Sequence, residues 1–234
     1  MGNYRLNPSL FSTRYLHLRE LKKHTLRLLD RYNPRGRDSV LLDFGCGDMP
    51  YREVIEPRVG RYVGVDLKMN PKAEHHIDFD SKTTLPGNYA DIVLSNQVLE
   101  HVDSPQGYLR EARRLLKPDG IMVLSTHGYW FYHPTPNDYW RWTSAGLKKT
   151  VEAEGFELLE FTGVMGLIAS GLQLFQDGVA NKLSGVLKSG WALLMQTLIR
   201  LADKMNSQAQ KDRDASLYIM VLRKRKNAEN GDPA

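Results

Sequence analysis

The sequence has a single cysteine, Cys46, so no disulfide can form within the chain and a disulfide-stapled scaffold is excluded. It also lacks a long hydrophobic run. The longest uncharged stretch of its apolar C-terminal region, Phe161–Gln176, contains Gln173 and several glycines and falls short of a membrane span. The segment Met1–Lys23 has no apolar core ahead of a small-residue cleavage site, so no signal peptide is expected. With one free thiol, the expected location is the cytoplasm. Internal repeats and low-complexity segments are missing, which removes solenoids and disordered tails. Neither sign of charge is scarce: 32 basic against 27 acidic residues leave +5, a mild tilt towards anionic partners. The basic residues are spread out, apart from Arg223-Lys224-Arg225-Lys226, which reads as a solvated tail. No basic stripe with interleaved aromatics appears, so no nucleic acid is expected as a partner. What is present is an ordinary globular composition, 41% hydrophobic and 25% charged over 234 residues, enough for one large domain.

Periodicity divides that domain. Apolar residues at Leu18, Leu21, Leu28, Leu29 and Tyr32 predict an N-terminal helix within 13–33, stopped by Asn33-Pro34-Arg35-Gly36. Short β runs follow at Val40–Phe44, Tyr62–Val65, His75–Asp80, Ala90–Ser95, Ile121–Ser125, Phe156–Phe161 and Ser216–Leu222. Between them, Asp48 and Pro50 suit a helix start. Ser104-Pro105 opens a helix with an apolar face at Tyr108, Ala112, Leu115 and Leu116. Thr143 or Ser144 caps another that ends at Gly155. Strands alternating with helices predict an α/β fold: a Rossmann-like, seven-stranded, mostly parallel sheet with helices on both faces. The core is expected at 38–162 plus 213–226, with an insertion at 163–212 before the last strand. There, Ile168, Leu172, Phe175, Val179 and Leu183 form one apolar stripe, and Trp191, Leu194, Leu198, Leu201 and Met205 a second. They predict two amphipathic helices broken near Ser189-Gly190, which pack on the domain, pair two copies as a homodimer, or touch a membrane peripherally.

The unit around Gly45 and Gly47 carries the most chemistry. Glycines at a strand end let the chain turn sharply and let a ligand approach the backbone. Asp66, 21 residues after Gly45 at the end of the next strand, can accept both hydroxyls of a ribose. Pro50 stands where the dinucleotide fingerprint needs a third glycine, which argues against NAD. Asp43 would repel a pyrophosphate and suits a cationic ligand such as an ammonium or sulfonium.

These residues resemble the successive motifs of class I S-adenosyl-L-methionine-dependent methyltransferases. The likeness runs through Asp43-Phe44-Gly45-Cys46-Gly47, then Asp66, Asp91–Ser95, Val98-Leu99-Glu100-His101-Val102 and Leu115–Gly120, in order over about Val40 to Ser125. The resemblance implies that Asp43, Gly45 and Gly47 line the methionine part and Asp66 binds the ribose. It places Asp80 and the Ser81 backbone at the adenine, and Asn96 and Gln97 beside the sulfonium. The family usually has a third glycine where Met49 stands, and Asp78 competes with Asp80 for the adenine side.

After the fifth strand comes an aromatic-rich segment, His127–Trp142, with seven of the chain's 22 aromatics. Over a cleft, such a loop can stack a flat or sugar-ring acceptor and exclude water; the alternative is an aromatic plug on the sheet edge. His127 is the first candidate base, followed by His133 and Asp138. Trp130, Tyr139 and Arg141 are candidate acceptor contacts, Arg141 through a carboxylate or phosphate. The histidines lack ligand spacing, so no metal is expected. The pattern His133-Pro134-x-Pro136-x-Asp138-Tyr139-x-Arg141-x-Thr143, followed by Gly146-Leu147 and Gly155-Phe156, resembles a type 11 methyltransferase subgroup associated with bacterial glycan pathways. The expected function is O-methylation of a saccharide or other small hydroxyl-bearing acceptor. The alternatives are N- or C-methylation of a small metabolite or quinone-like lipid, and a non-catalytic cofactor-binding module.

Overall fold

The computed structural model describes residues 3–225, so the last residue of the basic run, Lys226, lies outside the described residues. Seven strands form one sheet: β1 (Val40–Phe44), β2 (Arg61–Leu67), β3 (His75–Ile77), β4 (Ala90–Asn96), β5 (Leu116–His127), β6 (Phe156–Gly166) and β7 (Ala215–Lys224). Their order is β3-β2-β1-β4-β5-β7-β6, with β7 antiparallel to both neighbours and the remaining pairs parallel. This is a Rossmann-like α/β sheet. The order reverses between β1 and β4, and the crevice beyond the strand ends at that point is where such sheets hold ligands.

Parallel strands are covered on both faces, and the burial shows it: β1 and β4 are continuous apolar runs interrupted only at their ends and by Asp43 and Asp91. One face of the sheet packs under α3 (Pro105–Leu115) and α4 (Ser144–Ala153), with Phe44, Tyr108, Leu115, Leu147 and Phe156 in its core. The other packs under α1 (Tyr15–Tyr32), the short α2 (Arg52–Ile55) and the insertion, around Leu28, Leu29, Ile55 and Ile199. The helix starts follow local chemistry. Ser104 accepts from Gly107 N and Thr143 from Gly146 N, each capping the first turn. Asp48 caps nothing; it is exposed and pairs with Lys72 at 2.6 Å, while α2 begins later, at Arg52.

The insertion differs most from expectation. β6 runs on to Gly166, paired along its length with β7 as far as Ala215, and α7 (Gln208–Arg213) lies against it: a Cβ at Gly163 would stand 1.9 Å from the Lys211 carbonyl. The two long helices are α5 (Leu167–Ala180) and α6 (Gly185–Asp203), and the break falls at 181–184, not at Ser189-Gly190. Gly190 is tolerated within α6, and Gly185, with φ +55, makes the turn into it.

Candidate functional site

β1 ends in a loop that β2 holds closed, with Gly45 N and Cys46 N both donating to the Val65 carbonyl at 2.8 and 3.0 Å. Gly45 has φ +85, and a Cβ there would lie 2.6 Å from Val98, so conformation and space both demand glycine. Met49, standing where the family has its third glycine, adopts φ +51; the turn keeps its left-handed shape at a steric cost. Asp66 is at the end of β2, and its Oδ2 accepts from Gly47 N at 2.8 Å and from Asn70 Nδ2 at 2.7 Å. Asn70 also donates to the Gly47 carbonyl at 2.8 Å. It was not singled out in the sequence, where only its place four residues after Asp66 could have pointed to it.

These residues wall one end of a cavity of about 730 Å³ that runs along the strand ends. Asp43 lies there, buried on β1, and Tyr62 donates its hydroxyl to it. Burial pushes the Asp43 carboxyl up to about 7 against the opposing pull of Tyr62. A cation bound beside it would relieve that penalty and hold the carboxylate ionised. Asn96 and Gln97 end β4, with Gln97 at φ +57. Asn96 Oδ1 accepts from Ser125 Oγ at 3.0 Å and Gln97 Nε2 donates to the same hydroxyl at 3.2 Å. Asn96 Nδ2 and Gln97 Oε1 remain buried without a partner among the described residues. Orphaned polar atoms in a cavity wall are what a polar ligand satisfies. Ile77, Asp78, Phe79 and Ser81 line the same cavity, while Asp80, exposed like Asp78, does not. Of the two candidate carboxylates, Asp78 is therefore the one at the wall. A carboxylate for a cationic end, a second beside the glycine loop, and apolar Ile77 and Phe79 together fit S-adenosylmethionine.

The other end of the cavity is built by the segment after β5. His127 is buried and stacks on Trp130 with ring centres 4.6 Å apart and planes 9° from parallel. Its Nε2 lies 3.4 Å from Oε1 of Glu100, a carboxylate fully buried at the end of the β4 loop. Thr126 donates to Glu100 Oε2 at 2.9 Å, while Oε1 accepts no hydrogen bond among the described residues. Burial pushes Glu100 up to about 7 and drives His127 well below the ordinary histidine range, helped by His17 and His133 nearby. His127 is thus held as a neutral imidazole, with Glu100 the stronger base of the pair. His133 stands edge-on to both His127 and His101, centres 5.0 Å apart. Glu100, His127 and His133 offer ligand atoms that all lie within 4.8 Å of one another, a set able to hold a metal ion. Sequence spacing could not show it, since the three come from separate elements.

The remaining candidates lie behind this wall. Asp138 receives two hydrogen bonds from Arg141, both at 2.6 Å, and one from His133 N at 2.7 Å. Burial raises its carboxyl, but these donors outweigh it and hold it at about 2, too acidic to act as a base near neutrality. Arg141 also donates to the carbonyls of Trp130 and Phe131 at 3.1 and 2.6 Å. Asp138 and Arg141 therefore clamp the loop, and neither they nor the exposed Tyr139 line the cavity. His127, Trp130 and His133 do. The structure adds His17 from α1 and Arg14 just before it: His17 stacks against His127 and packs tilted on Trp130, and Arg14 lies 4.3 Å over Phe131.

Comparison with known proteins agrees with this geometry. A family model described as a methyltransferase domain matches residues 13–160, more than half the chain. The chain belongs to that family, and its fold is that of class I S-adenosylmethionine-dependent methyltransferases. Among curated proteins, a ubiquinone biosynthesis O-methyltransferase of Cereibacter sphaeroides is 35% identical over 99 residues, covering 37% of this chain. The match spans about 40% of that relative's length. A SAM-dependent methyltransferase from Archaeoglobus fulgidus superposes with a TM-score of 0.55 at 16% identity, over 95% of this chain and 97% of its own. Haemonchus contortus phosphoethanolamine N-methyltransferase 2, solved with S-adenosyl-L-methionine, gives 0.55 at 14% identity, over 97% of this chain and 60% of its own.

Proposed function

We propose that the protein O-methylates a small hydroxyl-bearing acceptor, a saccharide or a comparable ring, with S-adenosylmethionine as donor. The observation that carries this reading is the pairing of His127 with Glu100 beside Trp130 at the end of the cavity remote from the ribose carboxylate. The donor supplies a methyl already activated on a cationic sulfur; the acceptor oxygen takes it as the carbon–sulfur bond breaks and the bonding electrons return to sulfur. The chain's task is orientation and one proton. Trp130 offers a flat face on which a sugar or phenol ring stacks. His127, kept neutral by its burial, takes the hydroxyl proton and passes it to Glu100, 3.4 Å away, whose carboxyl burial has raised to about 7 and which is the stronger base of the two. Asp43 lies at the end suited to the donor's cationic part, and Asp66 at the end suited to its ribose.

The test is incubation with labelled donor and a fractionated cell extract, with identification of the labelled product. A methyl ether on a sugar or phenol is expected, and His127→Ala should slow its formation by about 10²–10⁴-fold while S-adenosylhomocysteine still binds. Label on nitrogen or carbon would overturn the hydroxyl reading. The ubiquinone O-methyltransferase relatives favour a quinone-like lipid as the second reading, distinguished by the same product analysis.

A further inference from the structure

The hairpin of α5 and α6 is held down by a buried polar layer, chiefly from α5, beside the apolar Met195 and Ile199 of α6. Gln173, Gln176 and Gln196 are buried and each donates to the Thr13 carbonyl at 2.9–3.1 Å; Gln196 also accepts from Leu16 N at 2.8 Å. Asp177, buried beside them, pairs with Arg14 at 2.5 Å. These amides and charges have their partners only in this orientation, so it is fixed.

The outward face is apolar along α5 and mixed apolar and basic along α6. The exposed positions 167, 168, 171, 174, 175 and 178 of α5 read Leu, Ile, Gly, Leu, Phe and Gly. On α6, Val186 is 87% exposed, Leu187 73%, and Leu194 and Leu201 more than half. Ten of the twenty large apolar side chains exposed among the described residues lie on these two helices. An apolar patch of this kind marks an interaction surface.

Its charges say which. The exposed charged side chains from 167 to 205 are Lys182, Lys188, Arg200 and Lys204, all basic; Asp177 is buried and Asp203 is paired with Lys211 at 2.5 Å. Arg200 and Lys204 also enter a second cavity, about 370 Å³, between α1, α6 and α7, with Arg19, Lys23 and Lys211 against only Glu20 and Asp203. Two copies pressed together through this face would bring like charges together, whereas an anionic bilayer complements them. No helix among the described residues is long and apolar enough to cross a membrane, so the hairpin would lie in the interface rather than span it.

We propose that the α5–α6 hairpin docks the protein on an anionic lipid bilayer, apolar side chains in the acyl boundary and Lys182, Lys188, Arg200 and Lys204 at the headgroups. Arg14 pairs with Asp177 on one side and stacks over Phe131 on the other, so the docked hairpin stands one side chain from the acceptor end of the cavity.

Vesicle flotation of the full chain tests this without donor or acceptor, and so independently of the methyl-transfer reading. The protein should float with vesicles containing phosphatidylglycerol, bind phosphatidylcholine vesicles at least tenfold less, and be released by salt. Arg200→Gln and Lys204→Gln should each weaken binding about fivefold. The pair Leu194→Ser with Leu198→Ser should abolish flotation while the thermal melt is unchanged. Failure to float, equal binding to neutral vesicles, indifference to these substitutions, or a dimer in lipid-free solution that the leucine pair dissociates would each overturn the proposal.

Discussion

Helices α3 and α5 are both two-faced, yet they sit in opposite senses. α3 buries Tyr108, Leu109, Ala112 and Leu115 against the sheet and leaves Arg110 and Arg114 outside. α5 buries Gln173, Gln176 and Asp177 and leaves Leu174 and Phe175 outside. Periodicity shows that a helix has two faces; it does not show which one meets the protein. In α3, removal of apolar area from water holds the helix down. In α5, closed hydrogen bonding does, and such a buried polar set contributes little net stability while being costly to open.

The sharpest way to test that difference is to cut each side in turn. Leu115→Ala, opening a cavity under α3, should cost about 2–5 kcal/mol in chemical denaturation. Gln196→Ala strands the Leu16 N–H and the side-chain oxygens of Gln173 and Gln176, which accept from Gln196 Nε2 at 3.1 and 2.8 Å, and should cost about 1–3 kcal/mol. An unchanged melt would mean the glutamine layer does not hold the hairpin. The aromatic loop is an intermediate case, since its clamp is ionic. The Asp138 carboxyl, lowered to about 2 in the folded chain, contributes stability that is fully present above the ordinary carboxylate range. That contribution is lost as pH falls through about 4 towards 2, so Asp138→Asn should flatten this part of the acid denaturation curve. Smallest of all, Leu198→Ser on the outer face of α6 should change stability by no more than about 0.5 kcal/mol. A loss as large as that of Leu115→Ala would show that the face is covered in the folded protein.

Much of the cofactor end was legible because it is local. Gly45, Gly47 and Asp66 are joined by one strand-loop-strand unit, and their backbone demands, positive φ and a near neighbour at Val98, are ones only certain residues meet. The acceptor end was legible only in part. His127, Trp130 and His133 belong to one stretch of sequence, but Glu100, His17 and Arg14 reach them from other elements, and no spacing links these. Asp138 and Arg141 have the right chemistry for catalysis and binding, and spend it on each other.

From the sequence alone came the alternation of strands and helices, the glycine turn and the carboxylates flanking it, since each follows from steric and periodic rules acting within about 20 residues. Tertiary contact alone decided the side on which α5 and α6 are buried, the choice of Asp78 over Asp80 at the cavity wall, and the Glu100–His127 pair. Those outcomes depend on which side chains distant parts of the chain bring together.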